Sequence, residues 1–178
     1  PNVLVDLYVM RPDGTGSVQV DLGSDRDIYL ARVKWAPDGN TLYVQRQNRD
    51  QTRLDVLKVD PATGRSTVLF TEKSGPKSWV NLSSVFEPMK DGSIIWWSER
   101  DGHGQLYRFA RGKWTQLTKG AWDVAGINGI DEAGGKLYLN GNKDGVLERH
   151  IYALDLKAKG YPLTRLTQAG WWNNASVD

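Results

Sequence analysis

His103 and His150 are the only imidazoles in the chain, so any histidine-based chemistry must use one of them. His103 lies in Arg100-Asp101-Gly102-His103-Gly104 and reads as a turn residue, while His150 opens an apolar strand pattern. A serine nucleophile needs a strained elbow, commonly G-x-S-x-G. Ser83, Ser84 and Ser98 instead lie in or beside strand patterns, where a hydroxyl is solvated or bonds locally. Asn142, Asp144, Gly145 and Glu148 resemble a degenerate calcium loop, but an EF-hand needs more carboxylates at alternating positions and flanking helices. The segment reads as a hairpin connection, and no metal or cofactor is expected. Asp91, Glu99 and Asp101 fall in or beside turns, where aspartate favours local backbone bonding, so no working acid pair follows. With no cysteine, disulfides, thiolate metal sites and a thiol nucleophile are excluded. No catalytic residue is expected in this chain.

The 178 residues carry 23 Lys and Arg against 21 Asp and Glu, a net charge of +2 that sets up no field aimed at nucleic acid or acidic lipid. Arg46, Arg49, Arg53, Lys58 and Arg65 make one stretch locally basic, yet Asp50, Asp55 and Asp60 are interleaved with them, the pattern of a solvated face rather than a phosphate groove. At 39% hydrophobic residues with eight Trp, the chain is too apolar for a disordered tail. No stretch approaches the length of a membrane span. It opens without Met or a leader pattern, and residues 2–10 already read as a strand, so it is expected to be a piece of a longer protein.

The elements that must position any site are strands. Runs of four to nine residues rich in Val, Ile, Leu, Tyr and Trp alternate with turn signals, and no window sustains a 3.6-residue apolar period. Strands are expected at 3–10, 17–21, 28–35, 42–46, 54–60 and 65–70, and the last four of these form a meander. The order then repeats. PDGNTLYV, MKDGSIIWW and EAGGKLYL align on Gly39, Gly92 and Gly135, 53 and 43 residues apart. Third strands recur around Tyr8, Leu57, Tyr107 and Tyr152, and the closing strands TQLTKGAW and TRLTQAGW are 49 residues apart. A four-stranded meander at this period fits a β-propeller blade, which must stack on neighbours to bury both faces. The fold class expected is thus all-β, a β-propeller fragment of four-stranded antiparallel blades. A half blade covers 1–22, blades cover 28–70, 79–117 and 122–167, and 171–178 starts another. Most Trp and Tyr are expected to pack between blades, with Trp96 and Trp97 on opposite faces of one strand. Open stacking faces at both ends predict self-association of the fragment.

LTKGAWDVAGI at 117–127, preceded by WWSERDGHGQLYRFARGKWTQ and followed by KLYLNGNKDGVLERHIYALDL, resembles the later propeller blades of the dipeptidyl peptidase IV family of serine peptidases. The resemblance runs from DLYVMRPDGTG at Asp6 to the terminal WWNNASVD and is most specific over 97–156. It implies a propeller that stands over an α/β-hydrolase domain carrying the catalytic Ser, Asp and His. That propeller gates access and helps bind peptide substrates through their free amino end. The parent it implies is a serine dipeptidyl peptidase, dimeric and periplasmic or otherwise exported, that releases dipeptides with Pro or Ala next to the cut. This chain has no Glu-Glu pair and no G-x-S-x-G elbow, so the family's amine-binding and catalytic residues transfer to no position in it, and the fragment alone is expected to be inactive.

One transfer remains. Trp79-Val80-Asn81 matches a Trp-Val pair after which the family places substrate contacts, which implies substrate binding at Trp79 and Asn81. The Arg-Phe run that many members carry next is replaced by Leu82-Ser83-Ser84-Val85-Phe86. Read on its own residues, Trp79 belongs to an ordinary first strand. Trp171-Trp172-Asn173-Asn174 offers stacking planes for a sugar or peptide, and its match to the Trp122 region reads as the first strand of a next blade. The rival to the peptidase reading is a non-catalytic propeller that binds a protein or glycan through rim loops.

Overall fold

The computed structural model describes residues 3–176, so residues 1, 2, 177 and 178 of the expected end fragments lie outside the described residues. Among the described residues the regular structure is all strand. β1 (Tyr8–Val9) and β2 (Val18–Gln19) form a two-stranded antiparallel sheet. β3 (Ile28–Trp35), β4 (Leu42–Asn48), β5 (Arg53–Val59) and β6 (Ser66–Lys73) form an antiparallel meander in chain order. The same order recurs in β7 (Phe86–Pro88), β8 (Ile94–Ser98), β9 (Gln105–Ala110) and β10 (Lys113–Gln116), and again in β11 (Val124–Asp131), β12 (Lys136–Gly141), β13 (His150–Asp155) and β14 (Leu163–Arg165). These are four-stranded antiparallel sheets with the topology of propeller blades.

The repeat has a physical basis at the turns. Asp13, Asp38 and Asp91 each accept a hydrogen bond from the backbone N–H two residues on, at Thr15 (2.9 Å), Asn40 (3.0 Å) and Ser93 (2.9 Å). The short carboxylate closes the turn and leaves the flanking strands in antiparallel register. Closing strands repeat a bond as well: Thr118 Oγ1 accepts from Leu106 N at 2.9 Å, and Thr167 Oγ1 accepts from Ile151 N at 3.2 Å.

The chain divides into two compact units at Leu82/Ser83. In the first, one face of the β3–β6 sheet buries Leu42, Val44, Leu57 and Val59 against Val20 and Leu22 that follow β1–β2. Asp21 N donates to Gly64 O at 2.8 Å, which ties β2 to the β5–β6 turn. In the second unit, Val85, Met89, Ile95, Leu106 and Leu117 of the β7–β10 sheet share a core with Trp122, Val124, Leu137, Leu139, Tyr152 and Leu154 of the β11–β14 sheet. Strand alternation sends Trp96 onto Phe86 in an edge-to-face contact, while Trp97 joins the shared core and donates from Nε1 to Val124 O at 2.9 Å.

Several expectations are corrected. The strands expected at 3–10 and 17–21 shrink to two residues each, because β1 and β2 have only one another as ladder partners and Val3 and Leu4 bury no face. Residues 79–85 form no strand: Val80 spends its N–H on Gln51 O (2.7 Å) and its carbonyl on Gln47 Nε2 (2.9 Å), leaving pairing to begin at Phe86. Residues 171–176 carry only a parallel bridge between Trp172 and Arg149. Trp35, Trp79, Trp171 and Trp172 are exposed rather than packed, in contrast to buried Trp96 and Trp122.

Candidate functional site

Several of the residues with catalytic potential make structural bonds. Ser98 Oγ accepts from Arg100 N (3.1 Å) and Nε (2.9 Å), and Ser83 Oγ accepts from Val85 N at 3.0 Å. Ser84 is exposed in a bend. Asp91 pairs with Arg108 and with Ser93; burial opposes its charge, but the Ser93 bonds and Arg108 hold its carboxyl below the usual range. Asp101 accepts from Tyr107 OH at 2.6 Å and from Gln116 Nε2 at 3.0 Å.

The two histidines do different work. His103 lies in the β8–β9 turn with Nδ1 3.4 Å from Asp123, whose other role is to accept from Gly104 N at 2.7 Å. His150 is 0% exposed. Its Nε2 is 2.7 Å from Glu148 Oε2 and its Nδ1 3.0 Å from Thr167 Oγ1. A carboxylate only accepts, so Nε2 donates to Glu148, while the Thr167 hydroxyl oxygen beside Nδ1 also accepts from Ile151 N. The Gly170 N–H and then His150 hold Glu148 below the usual carboxylate range. A substrate cannot reach this imidazole, so the His–carboxylate pair is a brace. Asn142, Asp144 and Glu148 likewise do not converge on an ion: Asn142 Oδ1 accepts from Asp123 N (2.7 Å) and Asp144 accepts from Tyr152 OH (3.1 Å). Burial first, and then the Asp144 bond, push Tyr152 up to about 12. Among the described residues no group of three or more His, Cys, Asp and Glu could hold a metal.

Two further features are open to the outside. The first is Trp79 with Asn81. Val80 is buried and fixed at both backbone atoms, while Trp79 and Asn81 on either side of it are exposed. Trp79 is 62% exposed, and its indole Nε1 donates to Asn81 Oδ1 at 2.9 Å. An aromatic plane is thus presented in one orientation by the residue two positions on.

The second is a recess of about 320 Å³ in the second unit, lined by Glu87, Pro88 and Met89 at β7 and by Asn128, Ile130 and Glu132 at β11. β7 and β11 are the first strands of their sheets. The register slips between Ile127 and Gly129, leaving Asn128 as the extra residue of a bulge that re-aims its side chain. Asn128 Nδ2 donates to Ala175 O at 2.6 Å, and its buried Oδ1 has no partner. Glu132 accepts from Lys90 N at 2.9 Å. The carboxylates of Glu87 and Glu132 and the unpartnered Asn128 Oδ1 are acceptors, suited to a group that brings N–H donors. Sequence reading overlooked Asn128, although Gly126-Ile-Asn-Gly129 interrupting a strand is a bulge signal. Glu87 and Glu132, 45 positions apart, carry no such signal.

The sequence model of the dipeptidyl peptidase IV (DPP IV) N-terminal region matches residues 1–178. A probable dipeptidyl peptidase 4 of Aspergillus flavus is 28% identical over 184 residues, covering 97% of this chain and 24% of that protein. Human dipeptidyl peptidase 8 is 23% identical over 202 residues, covering 84% of this chain and 22% of that protein. The crystal structure of Porphyromonas gingivalis dipeptidyl peptidase 4 superposes with a TM-score of 0.82 at 25% identity, covering 93% of this chain and 23% of that one. The chain spans about a quarter of the length of the curated relatives it matches. Its all-strand blades and a match over its whole length place the chain in the dipeptidyl peptidase IV N-terminal-region family.

Proposed function

We propose that this chain is the substrate-admitting propeller portion of a serine dipeptidyl peptidase whose bond-breaking groups lie elsewhere in the same polypeptide. The observation that carries the reading is the match of all 178 residues to the DPP IV N-terminal region. The local chemistry is consistent with it: an oriented aromatic plane at Trp79 and an acceptor-lined recess at Glu87, Asn128 and Glu132 recognise peptide without attacking it. In this reading Trp79 stacks on a substrate side chain or peptide plane, and Asn81 positions the indole. The recess takes an N–H-bearing part of the substrate, an amine or a stretch of peptide backbone. The reaction in the parent is acyl transfer to a serine activated by histidine, with release of an amino-terminal dipeptide.

Fluorophosphonate labelling of the full-length protein, followed by peptide mapping, tests the reading. A label on a serine outside these 178 residues is the expected result. A folded full-length protein that takes no label overturns it in favour of a binding propeller for a protein or glycan.

A further inference from the structure

Asn-Gly occurs twice in the chain, at Asn128-Gly129 in β11 and at Asn140-Gly141 in β12. Glycine has no Cβ to hinder its own backbone nitrogen, so at these two positions that nitrogen most easily reaches the amide carbon of the preceding side chain. The fold treats the two pairs differently. Asn140 is 8% exposed and is laddered on both sides, to Gly126 and to Ile151, while Gly141 is laddered to Val124 and to His150. A Cβ on Gly141 would lie 2.7 Å from Asp123 O, so the backbone there has no room to turn. Asn128 is the surplus residue of a bulge, on a strand with one ladder neighbour in its sheet, and it lines the recess. Its side chain is half-buried and is held, among the described residues, by the single hydrogen bond from Nδ2 to Ala175 O.

We propose that Asn128 is a site of spontaneous deamidation through a cyclic imide, and that Asn140 is protected from the same reaction. Gly129 N attacks Asn128 Cγ, the Cγ–Nδ2 bond breaks, and ammonia leaves with the proton from Gly129 N. Water then opens the five-membered ring at either carbonyl to give aspartate or isoaspartate, and nothing is oxidised or reduced. Ring closure takes the backbone out of extended geometry. A residue with no partner across the ladder makes that excursion by local opening, whereas Asn140 would have to part three strands. Isoaspartate also adds a methylene to the main chain, which a bulge already out of register absorbs and a doubly laddered position does not. Two changes follow in the folded protein. A carboxylate has no N–H for Ala175 O, so the tie between β11 and the 171–176 segment is lost, and a third carboxylate joins Glu87 and Glu132 in the recess. The recess thus has two charge states, set by the age of the molecule. This chemistry is independent of what the recess binds.

The test holds the full-length protein at mildly alkaline pH and maps tryptic digests of successive samples by mass spectrometry. Peptides 120–136 and 137–143 carry the two sites separately, so each serves as the other's control. The expected result in the folded protein is conversion of amide to acid about tenfold faster or more at Asn128 than at Asn140, as a mixture of aspartate and isoaspartate. In guanidinium chloride the two sites are expected to react at similar rates. Equal rates in the folded protein overturn the proposal, and so does conversion to aspartate alone, because water then attacks the amide directly. Gly129→Ala is expected to slow the reaction at Asn128 several-fold, since the new Cβ hinders the attacking nitrogen. An unchanged rate in that variant, with circular dichroism showing it folded, overturns attack by Gly129 N. Asn128→Asp gives a second measurement: freshly prepared, it is expected to exchange amide hydrogens faster than the unsubstituted protein over 173–176, and equal exchange overturns the loss of the Ala175 tie.

Discussion

At the scale of single residues, the carboxylates of this chain are tuned for structure. Asp55 is nearly buried, with its side chain 5% exposed; burial raises its pKa, but hydrogen bonds from Arg46, Thr71 and Arg53 outweigh burial and hold the group below the ordinary value. Asp155 is on the surface, and the Lys136 ammonium at 2.6 Å, helped by the N–H groups of Lys157 and Ala158, brings it down to about 2. A carboxyl whose folded pKa is depressed contributes stability that is fully present above its unfolded value of 3.8 and declines as pH falls toward about 2. Urea unfolding followed between those two pH values is expected to show a falling midpoint, and Asp155→Asn is expected to flatten that fall. An identical slope in the variant would assign the acid sensitivity to other groups.

At the scale of elements, turns and bulges carry the information. Gly64 turns at φ +73°, and a Cβ there would lie 2.0 Å from the backbone oxygen of Gln19, where β2 crosses the β5–β6 turn. Gly39 has nearly the same φ, +71°, with nothing within 4 Å. Gly39→Ala is therefore expected to lose only the backbone term, about 1–2 kcal/mol. Gly64→Ala is expected to lose more and to release β1–β2 from the β3–β6 sheet. Chemical denaturation together with hydrogen exchange at Val18–Gln19 distinguishes the two, and equal losses would show that β2 yields at no cost. The bulge at Asn128 is the same kind of device used for a site: one extra residue turns a strand position into a side chain aimed at a recess.

At the scale of the whole molecule, the proposed function assigns substrate recognition to this chain and bond breaking to the rest of the polypeptide. In the full-length enzyme, Trp79→Ala is expected to raise KM about fivefold with kcat nearly unchanged, the signature of roughly 1 kcal/mol of binding shared by ground and transition states. Asn81→Ala is expected to have a smaller effect in the same direction, and Asn81→Asp, which keeps the acceptor for the indole N–H, to restore KM. A fall in kcat with KM constant would contradict the assignment of Trp79 to uniform substrate binding.

The recurrence of turn, second strand, third strand and closing strand was readable from residue types alone. A turn that needs Asp and Gly, or a strand that needs alternating apolar residues, states its requirement within a few neighbouring positions. The family resemblance rests on those same local patterns around 97–156, and so does the lack of a nucleophile elbow in this chain. Local patterns could not say that Trp79 leaves the ladder, because Gln47 and Gln51, about 30 positions earlier, take the Val80 backbone. Nor could they join Glu87 to Asn128 and Glu132 in one recess, or bury His150 between Glu148 and Thr167. Sequence alone determined the order of the strands in the three complete sheets and the family. Tertiary structure decided which polar groups are spent on bracing and which line an open recess, because that depends on packing between strands far apart in the chain.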